Sequence, residues 1–202
     1  MIKQTTAIQA GGASRRMGRD KGLVQLAGMT LIERVLARVD GLTDQVIITT
    51  NDPGSYRYLG LPIAQDERPR AGALEGLRTA LANADGEYIL TVGCDMPFLE
   101  PRLLAYLLDL GTGAQAVVPR WGDQLQPLCA VYHRSCLKAV EESRTKGKKR
   151  LIAFHDRVDI RIVDQEEVLA FDPLGLSFFN VNTPEDLAAA EEILAAGTAG
   201  RI

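Results

Sequence analysis

Tyr88-Ile89-Leu90-Thr91-Val92 is apolar at almost every position instead of at every second one. A strand with one wet face alternates, so an unbroken run needs cover on both faces, as a central strand has in a parallel sheet flanked by helices. Around it the chain switches between the two periods that such a sheet requires. Thr6-Ala7-Ile8 reads as an opening strand, Leu31 to Val39 as a helix, and Gln45 to Thr50 as a β-branched strand closed by the turn residues Asn51-Asp52-Pro53-Gly54. Leu61 to Ala64 reads as a short strand, Ala71 to Ala84 and Leu103 to Leu110 as helices, and Ala114 to Pro119 as a further strand. Beyond a turn at Arg120 to Asp123, Leu125 to Tyr132 reads as a strand suited to antiparallel pairing, Ser135 to Glu142 as a helix and Val158 to Val163 as a strand. Finally, Phe178 to Asn182 reads as a short strand entering a helix capped by Thr183, with Pro184 at its first position and an end near Ala196-Gly197. The expected fold is α/β: a doubly wound, mostly parallel sheet with a small antiparallel element in the C-terminal half.

With 202 residues, 46% hydrophobic and 24% charged, the chain suits one domain spanning 1–202, of which 198–202 is a frayed tail. Its net charge of -3 argues against a nonspecific nucleic-acid or membrane-surface partner. No segment reaches the about 20 apolar residues of a membrane span, and the start lacks the apolar stretch of an export signal. Cys94, Cys129 and Cys136 make an odd count with no C-x-x-C pair, so neither a disulfide framework nor a structural zinc site is expected, and the cytoplasm is the expected compartment.

Directly after the opening strand comes Ala10-Gly11-Gly12-Ala13-Ser14-Arg15-Arg16-Met17-Gly18-Arg19-Asp20-Lys21. Adjacent glycines let backbone N–H groups approach a ligand closely, and Arg15, Arg16, Arg19 and Lys21 place four cations within seven residues. Such a loop suits a polyphosphate, although a solvated connection has a similar composition. It has neither the G-x-x-x-x-G-K-[ST] nor the G-x-G-x-x-G spacing.

Asp95, in Gly93-Cys94-Asp95-Met96-Pro97, follows the apolar central strand and so lies where open α/β sheets bind ligands. A lone carboxylate facing a triphosphate suffices for Mg²⁺; an aspartate there also suits a cap on the helix beyond Pro97. Cys94 reads as a packed hydrophobe, since phosphoryl transfer needs no covalent group. Lys21 and Arg16 are candidate electrostatic catalysts, and Asp20 could orient Lys21 by ion pairing. Asn51 and Asp66 each have a plain turn or loop explanation. Asn180 and Asn182 alternate with Phe179 and Val181, which turns both amides to one face. They suit a polar ligand, or equally the backbone groups ahead of the Thr183 cap. His133 and His155 have no partner at metal-ligand spacing.

Gly-Gly-x-Ser-x-Arg-Met-Gly-x-Asp-Lys-Gly, from Gly11 to Gly22, resembles the opening signature of the MobA family, the molybdenum cofactor guanylyltransferases of the nucleotidyltransferase superfamily. Gln126 to His133 resembles the family's middle segment, and Phe-x-Asn-x-Asn-Thr-Pro-Glu-Asp-Leu its closing one. The resemblance implies a Rossmann-like nucleotidyltransferase fold whose residues 1–100 form the nucleotide half and 101–197 the cofactor half. It implies transfer of GMP from GTP to molybdenum-bound molybdopterin with Mg²⁺, alongside proteins that deliver or accept the cofactor. Ala10, Gly11, Gly12, Ser14, Arg15, Lys21, Asn51, Asp66 and Asp95 then bind the nucleotide, Asn180 and Asn182 the pterin, and Asp95 the metal. Lys148, Lys149 and Arg150 fall where the family has a basic segment near the pterin. Gln9 departs from the family's usual leucine. A CTP-dependent molybdopterin cytidylyltransferase, a sugar-phosphate nucleotidyltransferase and a nucleotide-binding module without turnover are the rival readings.

Overall fold

The computed structural model of the chain describes residues 2–11, 20–69 and 71–199, with side chains to 197. Its strands in chain order are β1 (Gln4–Gln9), β2 (Gln25–Leu26), β3 (Met29–Thr30), β4 (Gln45–Thr50), β5 (Ile63–Gln65), β6 (Tyr88–Gly93), β7 (Ala116–Trp121), β8 (Gln124–Leu125), β9 (Ala130–His133) and β10 (Ile160–Val163). The helices are α1 (Leu31–Val39), α2 (Ala73–Asn83), α3 (Pro101–Gly111), α4 (Leu137–Thr145), α5 (Gln165–Leu169) and α6 (Pro184–Ala199). The main sheet runs β10-β7-β9-β6-β1-β4-β5, with β8 paired to β7. The pairs β6–β1, β1–β4, β4–β5 and β7–β10 are parallel; β9 lies antiparallel between β6 and β7.

The unbroken apolarity of β6 has its cause in this arrangement. Leu90 and Val92 join Ile8, Ile32, Val35, Leu103 and Leu107 in a core on the α1 and α3 side. Ile89 joins Ala7, Leu74, Leu77 and Val140 in a second core on the α2 and α4 side. Each face therefore needs its own apolar residues. Local chemistry sets the element ends: Thr30 and Glu33 form a reciprocal capping box at α1, and Glu100 with Pro101 starts α3.

Three expectations need correction. Leu125 to Tyr132 is not one strand, because Pro127 has no N–H for a ladder; a turn closed by Cys129 N–H to Gln126 O, 3.0 Å, separates β8 from β9. Phe178 to Asn182 is not a sheet strand either. Phe178 ends a short 3₁₀ turn, Leu176–Phe178, begun where the buried Asp172 carboxylate accepts from Leu176 and Ser177 N–H. Residues 179–182 then follow without regular structure, joined to the β6 end where Val181 N–H donates to Asp95 O at 2.9 Å. The last helix passes Gly197 and reaches Ala199, since one glycine costs a helix only about 1 kcal/mol. Its start is as expected: Thr183 Oγ1 accepts from Asp186 N–H, and Asp186 accepts from Thr183 N–H. A third core, with Val24, Leu26, Phe98, Val181 and Ala190, clamps α6 and its approach onto the β2–β3 hairpin. Among the described residues no helix is long and apolar enough to cross a membrane.

Candidate active site

The carboxyl ends of β1 and β6, the turn at Asp20-Lys21 and the segment bearing Asn180 and Asn182 line a cleft of about 360 Å³. This is the position at which open α/β sheets bind ligands. β1 delivers Gln9, Ala10 and Gly11 to it, and β6 delivers Gly93, Cys94 and Asp95. Lys21 Nζ stands 3.3 Å from Asp95 Oδ2 and donates a hydrogen bond to Asn182 Oδ1. Residues 21, 95 and 182 thus meet across most of the chain. Asn182 thus reaches the cation that follows the glycine-rich loop.

Asp95 is not the cap of α3, which Glu100 provides. Its side chain, only 15% exposed, opens on the cleft and Lys21. Asp20 does not pair with Lys21: its carboxylate turns the other way, accepting from Gly22 N–H and from the Tyr56 hydroxyl. Adjacent side chains in a tight turn diverge, so neighbouring opposite charges need not meet. Tyr56 is fully buried, and burial first, with the nearby Cys94 and Asp20 adding to it, holds its phenol far above its ordinary range. It is thus a neutral donor that fixes the end of the loop. Sequence reading missed it, since an aromatic within Pro53–Leu59 carries no signal of a partner at position 20.

Beside β1 lies a polar group. Asp66 is 8% exposed, accepts from Thr79 Oγ1 at 2.8 Å and is hydrogen-bonded to Asn51. Burial pushes its carboxyl upward, against the two hydrogen bonds. Any side chain at Gly11 would begin 3.2 Å from Asn51 Nδ2 and 3.5 Å from Asp66 Oδ2, which places both residues against the end of β1. Asn180 lines the cleft and donates to Phe178 O at 2.8 Å, so the alternation that turns both amides to one side survives without a strand ladder. Cys94 is buried with its thiol pushed well up by desolvation, in keeping with a packing role. Gly12, Ser14, Arg15 and Arg16 lie outside the described residues. Lys148 and Lys149 line a separate basic groove with Arg68 and Arg144.

Among the described residues no cluster of three or more acidic, histidine or cysteine side chains could hold a metal by protein ligands alone. Magnesium asks for less, one or two carboxylates with phosphate oxygens and water completing the shell, and the cleft-facing Asp95 meets that need.

A MobA-like NTP transferase domain is matched over residues 6–158. The chain is similar to a protein of Pelotomaculum thermopropionicum named probable molybdenum cofactor guanylyltransferase, 37% identical over all of this chain and 98% of the relative. It is similar to a molybdenum cofactor guanylyltransferase of Desulfosudis oleivorans, 34% identical with 96% of each covered. Among solved structures, the molybdopterin-guanine dinucleotide biosynthesis protein A of Archaeoglobus fulgidus superposes with a TM-score of 0.84 and 30% identity, covering 95% of this chain and 99% of that one.

Proposed function

The chain belongs to the MobA-like NTP transferase family, and from that membership we propose that it is a molybdenum cofactor guanylyltransferase. The convergence of Lys21, Asp95 and Asn182 on one strand-end cleft carries the reading. In the proposed reaction a terminal phosphate oxygen of molybdenum-bound molybdopterin attacks the α-phosphorus of GTP. The bond to the bridging oxygen toward the β-phosphorus breaks, and pyrophosphate leaves with its electrons. Charge gathers on the α-phosphate oxygens and the leaving group, so a fixed cation lowers the barrier more than an acid or base would.

Lys21 is that cation, oriented by the Asn182 carboxamide. Asp95 would hold Mg²⁺, which neutralises phosphate charge when bound. Gly11, Asn51 and Asp66 take the nucleoside end, while Asn180 and Asn182 face the pterin substrate. The basic loop, with Arg16, takes the phosphates. The three cysteines, all free and buried, support a cytoplasmic setting. Incubation with GTP, Mg²⁺ and molybdenum cofactor is expected to release pyrophosphate in step with the guanine dinucleotide. Turnover with CTP in place of GTP would move the chain to the cytidylyltransferases, and none with any nucleotide would refute the assignment.

A further inference from the structure

Gln9, at the end of β1, is 92% removed from solvent and lines the cleft, yet its Nε2 has no hydrogen-bond partner among the described residues. A buried amide nitrogen without a partner is rare in a native fold, because it has given up water for nothing. On β4 its register neighbour Thr49 likewise has an Oγ1 with no partner among the described residues. The carboxamide lies against α2 at Gly76, where even a Cβ would stand 2.5 Å from Gln9 Oε1 and 3.0 Å from its carbon. Gly76 is a glycine inside an otherwise Ala/Leu-rich helix, a position that costs about 1 kcal/mol relative to alanine. Helix and strand are thus matched to hold a polar side chain where an apolar one would have packed without an orphaned donor.

We propose that Gln9 is a specificity-determining residue whose Nε2 donates a hydrogen bond to a carbonyl oxygen of the bound nucleobase, selecting a 6-oxopurine. The inference rests on the guanylyltransferase reading. On that reading Lys21 and Asp95 claim the phosphates, and Gln9 and Gly11, which line the same cleft with Asp66 close to Gly11, take the base. A 6-oxopurine presents an acceptor that satisfies Nε2. Adenine presents an amino donor at the same place and leaves two donors facing each other, the arrangement that discriminates most strongly in a dry site.

The test is nucleotide binding by calorimetry with GTP, ITP and 2-aminopurine riboside triphosphate, the last of which keeps the 2-amino group and lacks the 6-oxygen. Gln9→Leu preserves bulk and removes the donor. It is expected to weaken GTP and ITP about tenfold each while changing the 2-aminopurine nucleotide less than about twofold. Gly76→Ala, which leaves residue 9 untouched but displaces its carboxamide, is expected to give the same pattern. Equal losses for all three nucleotides, or no loss for GTP in folded Gln9→Leu protein, would overturn the inference and leave the guanylyltransferase reading standing. Wild-type protein that binds GTP no better than CTP and ATP would overturn both.

Discussion

Lys21 is held between a carboxylate and a carboxamide, and the two contacts have different consequences. Its attraction to Asp95 lasts only while that carboxylate is not shared with a cation on the phosphates, whereas the uncharged Asn182 can hold it throughout. Asp95→Asn is therefore expected to lower pyrophosphate release at saturating Mg²⁺ by about a hundredfold or more, with little change in metal-free GTP binding. Unchanged turnover would remove Asp95 from the metal site. Asn182→Ala is expected to lower kcat about tenfold, and by less than about twofold when Lys21 is already alanine, the non-additivity of two groups acting as one. Additive effects in that double-mutant cycle would confine Asn182 to the pterin. The residue types and spacing singled out Lys21 and Asp95 as candidates, because strand ends and phosphate loops have local signatures. They did not reveal the contact of Lys21 with Asn182, which depends on how the chain returns after 161 residues.

At the scale of elements, the short 3₁₀ helix Pro53–Leu59 reaches Asp20 through the Tyr56 hydroxyl. Tyr56→Phe keeps the buried ring and leaves Asp20 with one donor fewer. It is expected to cost about 1–2 kcal/mol in urea unfolding and to lower kcat severalfold at unchanged KM for GTP, since Lys21 follows Asp20 directly. An unaltered kcat would make Tyr56 a packing residue only. Helices and strands with strong periodicity were legible: α1, β4, β6 and α3 all fall within a few residues of their expected positions. Phe179 to Asn182 misled because alternation reports a wet and a dry face, not a neighbour in a ladder; the third core supplies the dry side without a partner strand.

For the whole molecule, a strongly perturbed base, His155, is not among the residues lining the cleft. His155 packs against Tyr132 and Phe154 with both ring nitrogens unpartnered among the described residues, and burial lowers its pKa to about 4 against the opposing charge of Asp156. The unfolded chain takes up its proton near pH 6.5 and the folded one only near 4. Its contribution is complete above pH 6.5 and is lost progressively as pH falls toward 4. Allowing for solvent at the ring edge, stability is expected to drop by about 1–2 kcal/mol across that window, and His155→Phe to flatten the profile. A variant with the same slope as wild type would exclude the histidine as its origin. The doubly wound, mostly parallel class was legible from the alternation of periods, while the insertion of β9 between β6 and β7 was legible only as a tendency to antiparallel pairing, since sequence gives a strand's direction no local mark.

The bond from Val181 N–H to Asp95 O also bears on when the chain becomes competent during its synthesis. β1, α1, β4, α2 and β6 can form as the first half emerges from the ribosome, N-terminal parts first. That intermediate owns Lys21 and Asp95 but lacks the Asn182 contact to Lys21, and the β2–β3 hairpin lacks the cover that α6 brings. On the proposed function, a nascent protein would hold Lys21 and Asp95 early and complete the contact between Lys21 and Asn182 only after residue 182 has docked, so an interrupted translation product is expected to bind nucleotide without turning it over.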